Sequence, residues 1–267
     1  MARSIFTTVL LFILAASAHA QLSPPNAAGV TYGHVHLNVS DIEVHKKLFV
    51  DVFGGTFVRK GTLSAVKFPN MLVAFRQGPS TGPSQGTVMD HFGFKVRNIA
   101  DMLQTLRGMG YAVQSEFTGA EGVPNAYVLG PDGLRLEMQE DKTLSATAIP
   151  NHIHFWTPDY VKLLDWYVDT FGLTKRSRGK IATTADAGTV NLSFADSKTP
   201  VLPTKGRTID HIGFEIRDLA TFAKQLEAKG IKLDVPVREA PNLGLKIAFL
   251  TDPSGTYIEL TEGMDKY

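Results

Sequence analysis

Alternating polar and apolar positions mark the strands of this chain. Residues 34–39 read HVHLNV, so that valine and leucine side chains alternate with His34, His36 and Asn38. This two-residue period is typical of a strand with one buried face. We expect the apolar face to pack under helices and the histidine face to line a concave surface.

The pattern recurs along the chain. Three segments of the first half return in the same order in the second: YGHVHLNVSD as PNHIHFWTPD, HFGFKVRNI as HIGFEIRDL, and LGPDGLRLEM as TDPSGTYIEL. Within each half, a second strand–helix start begins at His91 or His211. Such self-similarity indicates duplication, with a repeated unit of about 55–60 residues.

Each unit predicts a strand, a helix and three further strands. The fold class that follows is α+β: four βαβββ units paired into two modules, each an incomplete barrel with its helices outside. We expect the first module over residues 29–140, a polar linker over 141–150 and the second module over 151–263.

The amino-acid composition excludes several kinds of partner and of reactive site. The 267 residues carry 27 Lys+Arg against 26 Asp+Glu and no long basic run, so a nucleic-acid partner is not indicated. Cysteine is absent, which excludes disulfides, thiol nucleophiles and cysteine-ligated metals. A metal would need histidine, carboxylate or neutral oxygen ligands.

Residues 1–20 resemble a secretory signal. The apolar stretch 5–16 is too short to span a bilayer, and Ala18-His19-Ala20 fits a cleavage site. We predict export of the mature protein to the periplasm or medium, with no membrane association after cleavage. The alternative is an uncleaved membrane anchor.

Strand parity places two histidines and one glutamate of each half on the concave face. Two neutral imidazoles and a carboxylate suit Fe(II), Mn(II) or Zn(II) and leave positions open for substrate. The candidate metal ligands are His34, His91 and Glu137 in the first module and His152, His211 and Glu259 in the second.

These motifs resemble the vicinal oxygen chelate superfamily, which holds glyoxalase I, bleomycin-resistance proteins and extradiol dioxygenases. The likeness rests on the βαβββ repeat, on a histidine seven residues before an aspartate, and on a glutamate after a Pro/Gly turn. It covers residues 29–263. It implies that the six candidates are metal ligands and that the substrate chelates the metal through two adjacent oxygens.

Departures from the family pattern reduce the number of reactions that we expect. Glyoxalase I-like sites use a further Glu or Gln on the last strand of a unit, but the matching strands read MLVAFR and VNLSFA. This favours a site with three ligands. Ring-cleaving dioxygenases carry a tyrosine ten residues before the ligand glutamate, which implies a catalytic role for Tyr127; the second module has Phe249 there.

Other positions on the concave face allow two interpretations. His36 and His154 lie two residues beyond the first ligands and serve either as general bases beside the metal or as wall residues and alternative ligands. Trp156 either stacks on a substrate or fills the cup. Lys95 and Glu215 occupy matched positions with opposite charge, so the two cups are not equivalent.

The sequence thus predicts an exported, divalent-metal-dependent enzyme of dioxygenase or lyase type that acts on a small molecule. The alternative is a non-catalytic binding protein of the bleomycin-resistance type. The protein is expected to be a monomer or a homodimer.

Overall fold

The computed structural model describes residues 22–267. The predicted signal sequence over residues 1–20 lies outside the described residues. Within them, no helix is both long and apolar enough to cross a membrane.

Four βαβββ units follow one another along the chain, as predicted. Unit 1 comprises β1 (Val30–Val39), α1 (Ile42–Lys47), β2 (Thr56–Lys60), β3 (Leu63–Lys67) and β4 (Leu72–Gln77). Unit 2 comprises β5 (Met89–Val96), α2 (Ile99–Gly108), β6 (Ala112–Thr118), β7 (Pro124–Leu129) and β8 (Arg135–Glu140). Unit 3 comprises β9 (Ala148–Trp156), α3 (Tyr160–Phe171), β10 (Thr174–Lys175), β11 (Thr184–Ala187) and β12 (Val190–Ala195). Unit 4 comprises β13 (Ile209–Ile216), α4 (Leu219–Ala228), β14 (Val235–Ala240), β15 (Leu245–Thr251) and β16 (Tyr257–Glu262).

Helices α1, α2 and α4 begin after polar residues that satisfy free backbone N–H groups. Asn98 caps α2 by accepting from Asp101 N, and Asp218 caps α4 by accepting from Thr221 N. These caps sit directly after the strands β5 and β13, so each chain reversal from strand to helix is fixed by one side chain.

The units pair in a different way from the one expected. Units 1 and 4 form one eight-stranded sheet, in the order β14-β15-β16-β13-β1-β4-β3-β2. Units 2 and 3 form the other, in the order β10-β11-β12-β9-β5-β8-β7-β6. The expectation that consecutive units share a barrel is therefore wrong. The predicted linker 141–150 also overlaps β9, which starts at Ala148.

The centre of each sheet is an antiparallel pair of first strands. β1 runs against β13, with His36 opposite His211, and β5 runs against β9, with His91 opposite His154. Each first strand also runs parallel to the last strand of its own unit. The first and last strands of two units are thereby neighbours, which brings their concave side chains together.

Consecutive units meet in the hydrophobic core instead. Phe53 of unit 1 lies 4.4 Å, ring centre to ring centre, from Phe94 of unit 2. Phe171 of unit 3 stacks at 4.2 Å on Phe214 of unit 4. One continuous buried cluster contains these rings and the apolar faces of both sheets. The halves of the chain are thus joined by sheet pairing and by shared aromatic packing.

This topology predicts that the two halves of the chain do not fold as separate monomers. A fragment covering 22–142 would expose the pairing edges of β1 and β5, which the other half normally covers. We expect folded material only when fragments 22–142 and 143–267 are mixed, or when one fragment associates with itself. Circular dichroism and light scattering check this; a folded monomeric fragment would contradict the pairing.

Candidate metal centres

Four side chains converge on the concave face of the first sheet. We call His34, His36, His211 and Glu259 cluster 1; their candidate ligand atoms lie within 4.8 Å of one another. Glu259 Oε2 lies 3.0 Å from His34 Nε2 and 3.1 Å from His211 Nε2. The Nδ1 atom of His211 lies 2.6 Å from the carboxylate of Asp210.

The second sheet repeats the arrangement. We call His91, Glu137, His152 and His154 cluster 2, which meets the same 4.8 Å limit. Glu137 Oε2 lies 3.0 Å from the Nε2 atoms of both His91 and His152. The Nδ1 atom of His154 lies 3.3 Å from His91 Nε2. On its far side, His91 Nδ1 lies 2.9 Å from the Asp90 carboxylate.

Several imidazole nitrogens in the clusters are buried without a partner. Among the described residues, His36 Nε2 and His154 Nε2 have no hydrogen-bond partner. Buried polar atoms are nearly always paired, so such atoms call for a missing partner. Three imidazoles and one carboxylate are the ligand types that Fe(II), Mn(II) and Zn(II) accept. The residues present therefore fit a divalent metal ion in each cluster.

The glutamates are held ionised. Burial would raise the pKa of Glu259, but the hydrogen bonds and charges of His211 and His34 hold it well below its usual range. Glu137 has the same balance, with His152 and His91 lowering its pKa. A carboxylate that stays charged in a buried site is the form that a cation requires.

The histidines divide into two electrostatic kinds. Burial lowers the pKa of His36 and His154 well below the usual value, so these imidazoles are neutral. His91 and His211 have raised pKa values: burial lowers them, but hydrogen bonds to a neighbouring aspartate and to the cluster glutamate outweigh it. Each of these two rings lies between two carboxylates, which favours the form that carries a proton on both nitrogens. A metal would replace one of those protons.

Two glycines make room for the ligand rings. A Cβ added at Gly213 would lie 1.9 Å from His34 Cε1, and one at Gly93 would lie 2.1 Å from His152 Cε1. Contacts this short are forbidden, so any other residue would displace the ring. In each sheet the glycine belongs to the partner unit of the histidine that it accommodates.

The structure regroups the predicted ligands. The predicted sets of His34 with His91 and Glu137, and of His152 with His211 and Glu259, are wrong. The two first-strand histidines are exchanged, because sheet pairing joins unit 1 to unit 4 and unit 2 to unit 3.

His36 and His154 lie inside the clusters rather than in the surrounding wall. Of the two interpretations left open for them, the geometry favours the alternative ligand over the general base. Each cluster then offers four candidate ligands instead of three.

Tyr127 lies beside cluster 2. Its ring packs edge-on against His91 at 4.9 Å and carries the Arg135 guanidinium over its face at 3.8 Å. Burial raises the pKa of the Tyr127 hydroxyl, so it stays protonated. Phe249 takes the matching place against His211 at 5.6 Å. A catalytic role for Tyr127 remains a prediction.

Sequence reasoning overlooked residues that orient the ligands. Asp90 and Asp210 precede His91 and His211 directly and bind their Nδ1 atoms. The repeated Asp-His pair was a visible signal for them. Arg178 had no such signal: it comes from the loop between β10 and β11, is buried, and lies 3.2 Å from Ser193 and 3.3 Å from Glu121.

One family model and several solved structures are similar to this chain in sequence or fold. Residues 149–260 match the model of the Glyoxalase/Bleomycin resistance protein/Dioxygenase superfamily. The fold is similar to that of glyoxalase I from Zea mays, with a TM-score of 0.69 and 17% identity over 89% of this chain and 94% of that one. A candidate dioxygenase from Bacillus subtilis has a TM-score of 0.63 and 12% identity over 91% and 86% of the chains. The sequence matches none of the curated proteins with which it was compared.

Substitution of the glycines tests the regrouping. Gly213→Ala should displace His34 and disturb cluster 1 alone, whereas Gly93→Ala should displace His152 and disturb cluster 2 alone. Nuclear magnetic resonance of the histidine rings measures which ring moves. Gly108→Ala is the matched control, because a Cβ there meets nothing within 4 Å. If Gly213→Ala moved the ring of His152 instead, the regrouping would be wrong.

Proposed function

We propose that this chain is an enzyme of the glyoxalase/bleomycin resistance protein/dioxygenase superfamily, whose model matches residues 149–260, and that it uses a divalent metal in each cluster. Its small substrate binds there through two adjacent oxygens. The family match and the fold confirm the predicted likeness to the vicinal oxygen chelate superfamily. The observation that carries the proposal is the convergence of three imidazoles and one carboxylate in each sheet.

Each cluster has the surroundings that such a site needs. A bound divalent ion would act as a Lewis acid that polarises substrate oxygens and stabilises a developing enolate or oxyanion. Asp210 and Asp90 fix the orientation of His211 and His91. Asn125 donates to the free oxygen of Glu137, which fixes that carboxylate in turn. Orienting partners of this kind usually tune ligand basicity.

Most of the cluster side chains are also buried. His34, His91 and His152 are almost fully buried, and Glu259 is only 8% exposed. Water is therefore largely excluded from the ligands, which strengthens electrostatic interactions within the site.

We rank a dioxygenase-like or lyase-like reaction above a glutathione-dependent glyoxalase reaction. The neighbours of His34 and His36 on β4 are Leu72 and Ala74, so neither histidine has a Glu or Gln directly beside it on that strand. Asn191 and Ser193 stand at the matching places on β12. The fourth candidate ligand in each cluster is instead a histidine of the first strand.

Export is part of the proposal. Residues 1–20 have the composition of a secretory signal, and the described chain completes both clusters within one copy. A dimer is therefore not required to assemble either site, and the protein can act as an exported monomer.

Metal content tests the function directly. We expect two divalent ions per chain after incubation of tag-free protein with Fe(II), Mn(II), Zn(II) or Ni(II), measured by elemental analysis. Glu259→Ala and Glu137→Ala should each remove one ion. The loss of affinity should exceed the ~10–100-fold cost of removing an orienting partner.

The surface substitution Glu239→Ala is the matched control, since that side chain is exposed. Failure to bind stoichiometric metal under all these conditions would defeat the proposal. Such a result would leave the alternative of a duplicated, non-catalytic binding scaffold.

Acid should weaken the metal affinity. His91 and His211 have raised pKa values, and at any pH below those values a metal must displace a proton from each ring. Affinity should be highest above the raised pKa and fall by about tenfold per pH unit per displaced proton below it.

Calorimetry in buffers of different ionisation enthalpy measures the protons released. Asp210→Asn should reduce this release at cluster 1, because the pKa of His211 would no longer be held up. Metal affinity that is independent of pH in the wild type would contradict the assignment.

A further inference from the structure

The concave face of the first sheet carries an apolar patch directly beside cluster 1. Across the β1–β4 pair, Leu72 faces His34 and Ala74 faces His36. Cross-strand neighbours of this kind share one face of a sheet. A separate hydrophobic cluster contains these two residues together with Leu63, Ala65, Leu245, Ile247 and Met264.

A short segment covers this patch. Residues 263–267 follow β16, turn at Gly263, whose φ is +106°, and form a single 3-10 turn at Met264–Lys266. Met264 is 3% exposed within the apolar cluster, and Tyr267 packs against the same cluster. The two side chains fill space beside cluster 1 that the sheet itself does not fill.

Polar contacts hold residues 263–267, which we call the cover, at their margins. Glu215 accepts from Gly263 N at 2.6 Å and from Met264 N at 3.2 Å. Tyr267 donates its hydroxyl to Leu243 O at 2.7 Å, and Lys60 lies 4.2 Å above the Tyr267 ring. Among the described residues, no strand pairs with the cover. Lys67 Nζ also donates to the Tyr267 carbonyl oxygen, and two backbone turn hydrogen bonds lie within the segment. Because the segment has no strand pairing, it opens at a lower free energy than the sheet below it.

A cavity next to the cover gives it space to move. A cavity of about 470 Å³ is lined by Leu22, Glu215, Gly263, Asp265 and Lys266, among others. Residues 263, 265 and 266 line this cavity, which gives the segment space into which it can move.

We call the concave surface beside each cluster its cup. The second sheet shows that the fold does not require this surface to be apolar. The places of Leu72 and Ala74 are taken there by Asn191 and Ser193. Arg178 lies over them, bound to Ser193 and to Gln139. The backbone is the same, but the wall beside cluster 2 is polar and its roof is charged.

We propose that the cup of cluster 1 is a binding site for a neutral, apolar small molecule, and that residues 263–267 are its displaceable cover. Met264 and Tyr267 occupy the place of the ligand's apolar body. The ligand's oxygens would face cluster 1, and this part alone rests on the proposed function. The cup of cluster 2, with its polar wall, takes a different and more polar ligand.

A neutral apolar dye, N-phenyl-1-naphthylamine, tests the proposal. Removing the cover side chains with Met264→Ala and Tyr267→Ala should tighten dye binding at least about tenfold, because the open state no longer competes with the covered one. Glu215→Gln should give a smaller increase, since it loosens the cover but leaves its apolar side chains. Adding Ala74→Phe to the double variant should abolish the gain by filling the cup.

The matched control is Met102→Ala, which truncates a methionine of similar burial, 5% exposed, in the main core. Equal dye binding by this control and the double variant would overturn the proposal, as would no gain in the double variant. Cobalt(II) bound at cluster 1 should quench the dye, and Glu259→Ala should remove the quenching. Absence of metal in the same samples would defeat the proposed function, whereas dye binding would still decide the proposal about the cup.

Discussion

Both candidate metal centres depend on the antiparallel pairing of two first strands at the middle of a sheet. The pairing of β1 with β13 sets His36 opposite His211, and that of β5 with β9 sets His91 opposite His154. The glutamate then arrives from a last strand that runs parallel to one of the pair. Rigid, hydrogen-bonded backbones thus fix four side chains from two distant units, a better platform than loops for a site of defined geometry.

The electrostatics of the clusters follow from that placement. A buried carboxylate is costly unless it is paired, and Glu259 and Glu137 each have two imidazole partners. Without a metal ion, the raised pKa values of His211 and His91 favour positively charged rings, and Asp210 and Asp90 stabilise that form. The same aspartates would make the rings better ligands once a cation takes the place of one proton. The clusters are therefore arranged for positive charge whichever cation supplies it.

The sequence sufficed for the repeated unit and for the face on which its chemistry lies. The alternation of His34, Val35 and His36 determined strand parity, and parity placed every candidate ligand on a concave surface. It could not determine which units pair, because all four first strands carry the same alternation and β1 is as compatible with β5 as with β13. The regrouping of His34 with His211 depends on long-range packing, such as the contact of Phe53 with Phe94, that no local pattern encodes. Arg178 was missed for the same reason, since it reaches the polar wall beside cluster 2 from a loop.

Duplication allows the two cups to differ without loss of the clusters. The ligands lie on central strands, whereas the cup walls come from β4 and β12 and the covers from segments outside the strands. Substitutions at Leu72 or Asn191 would therefore change the wall of one cup and leave the arrangement of the clustered side chains unaltered. Lys95 and Glu215 follow the same division: Glu215 binds the cover of the first cup, while Lys95 pairs with Glu121 and Asp141 at the second. One scaffold thus holds two similar clusters whose immediate surroundings are set by residues outside the clusters.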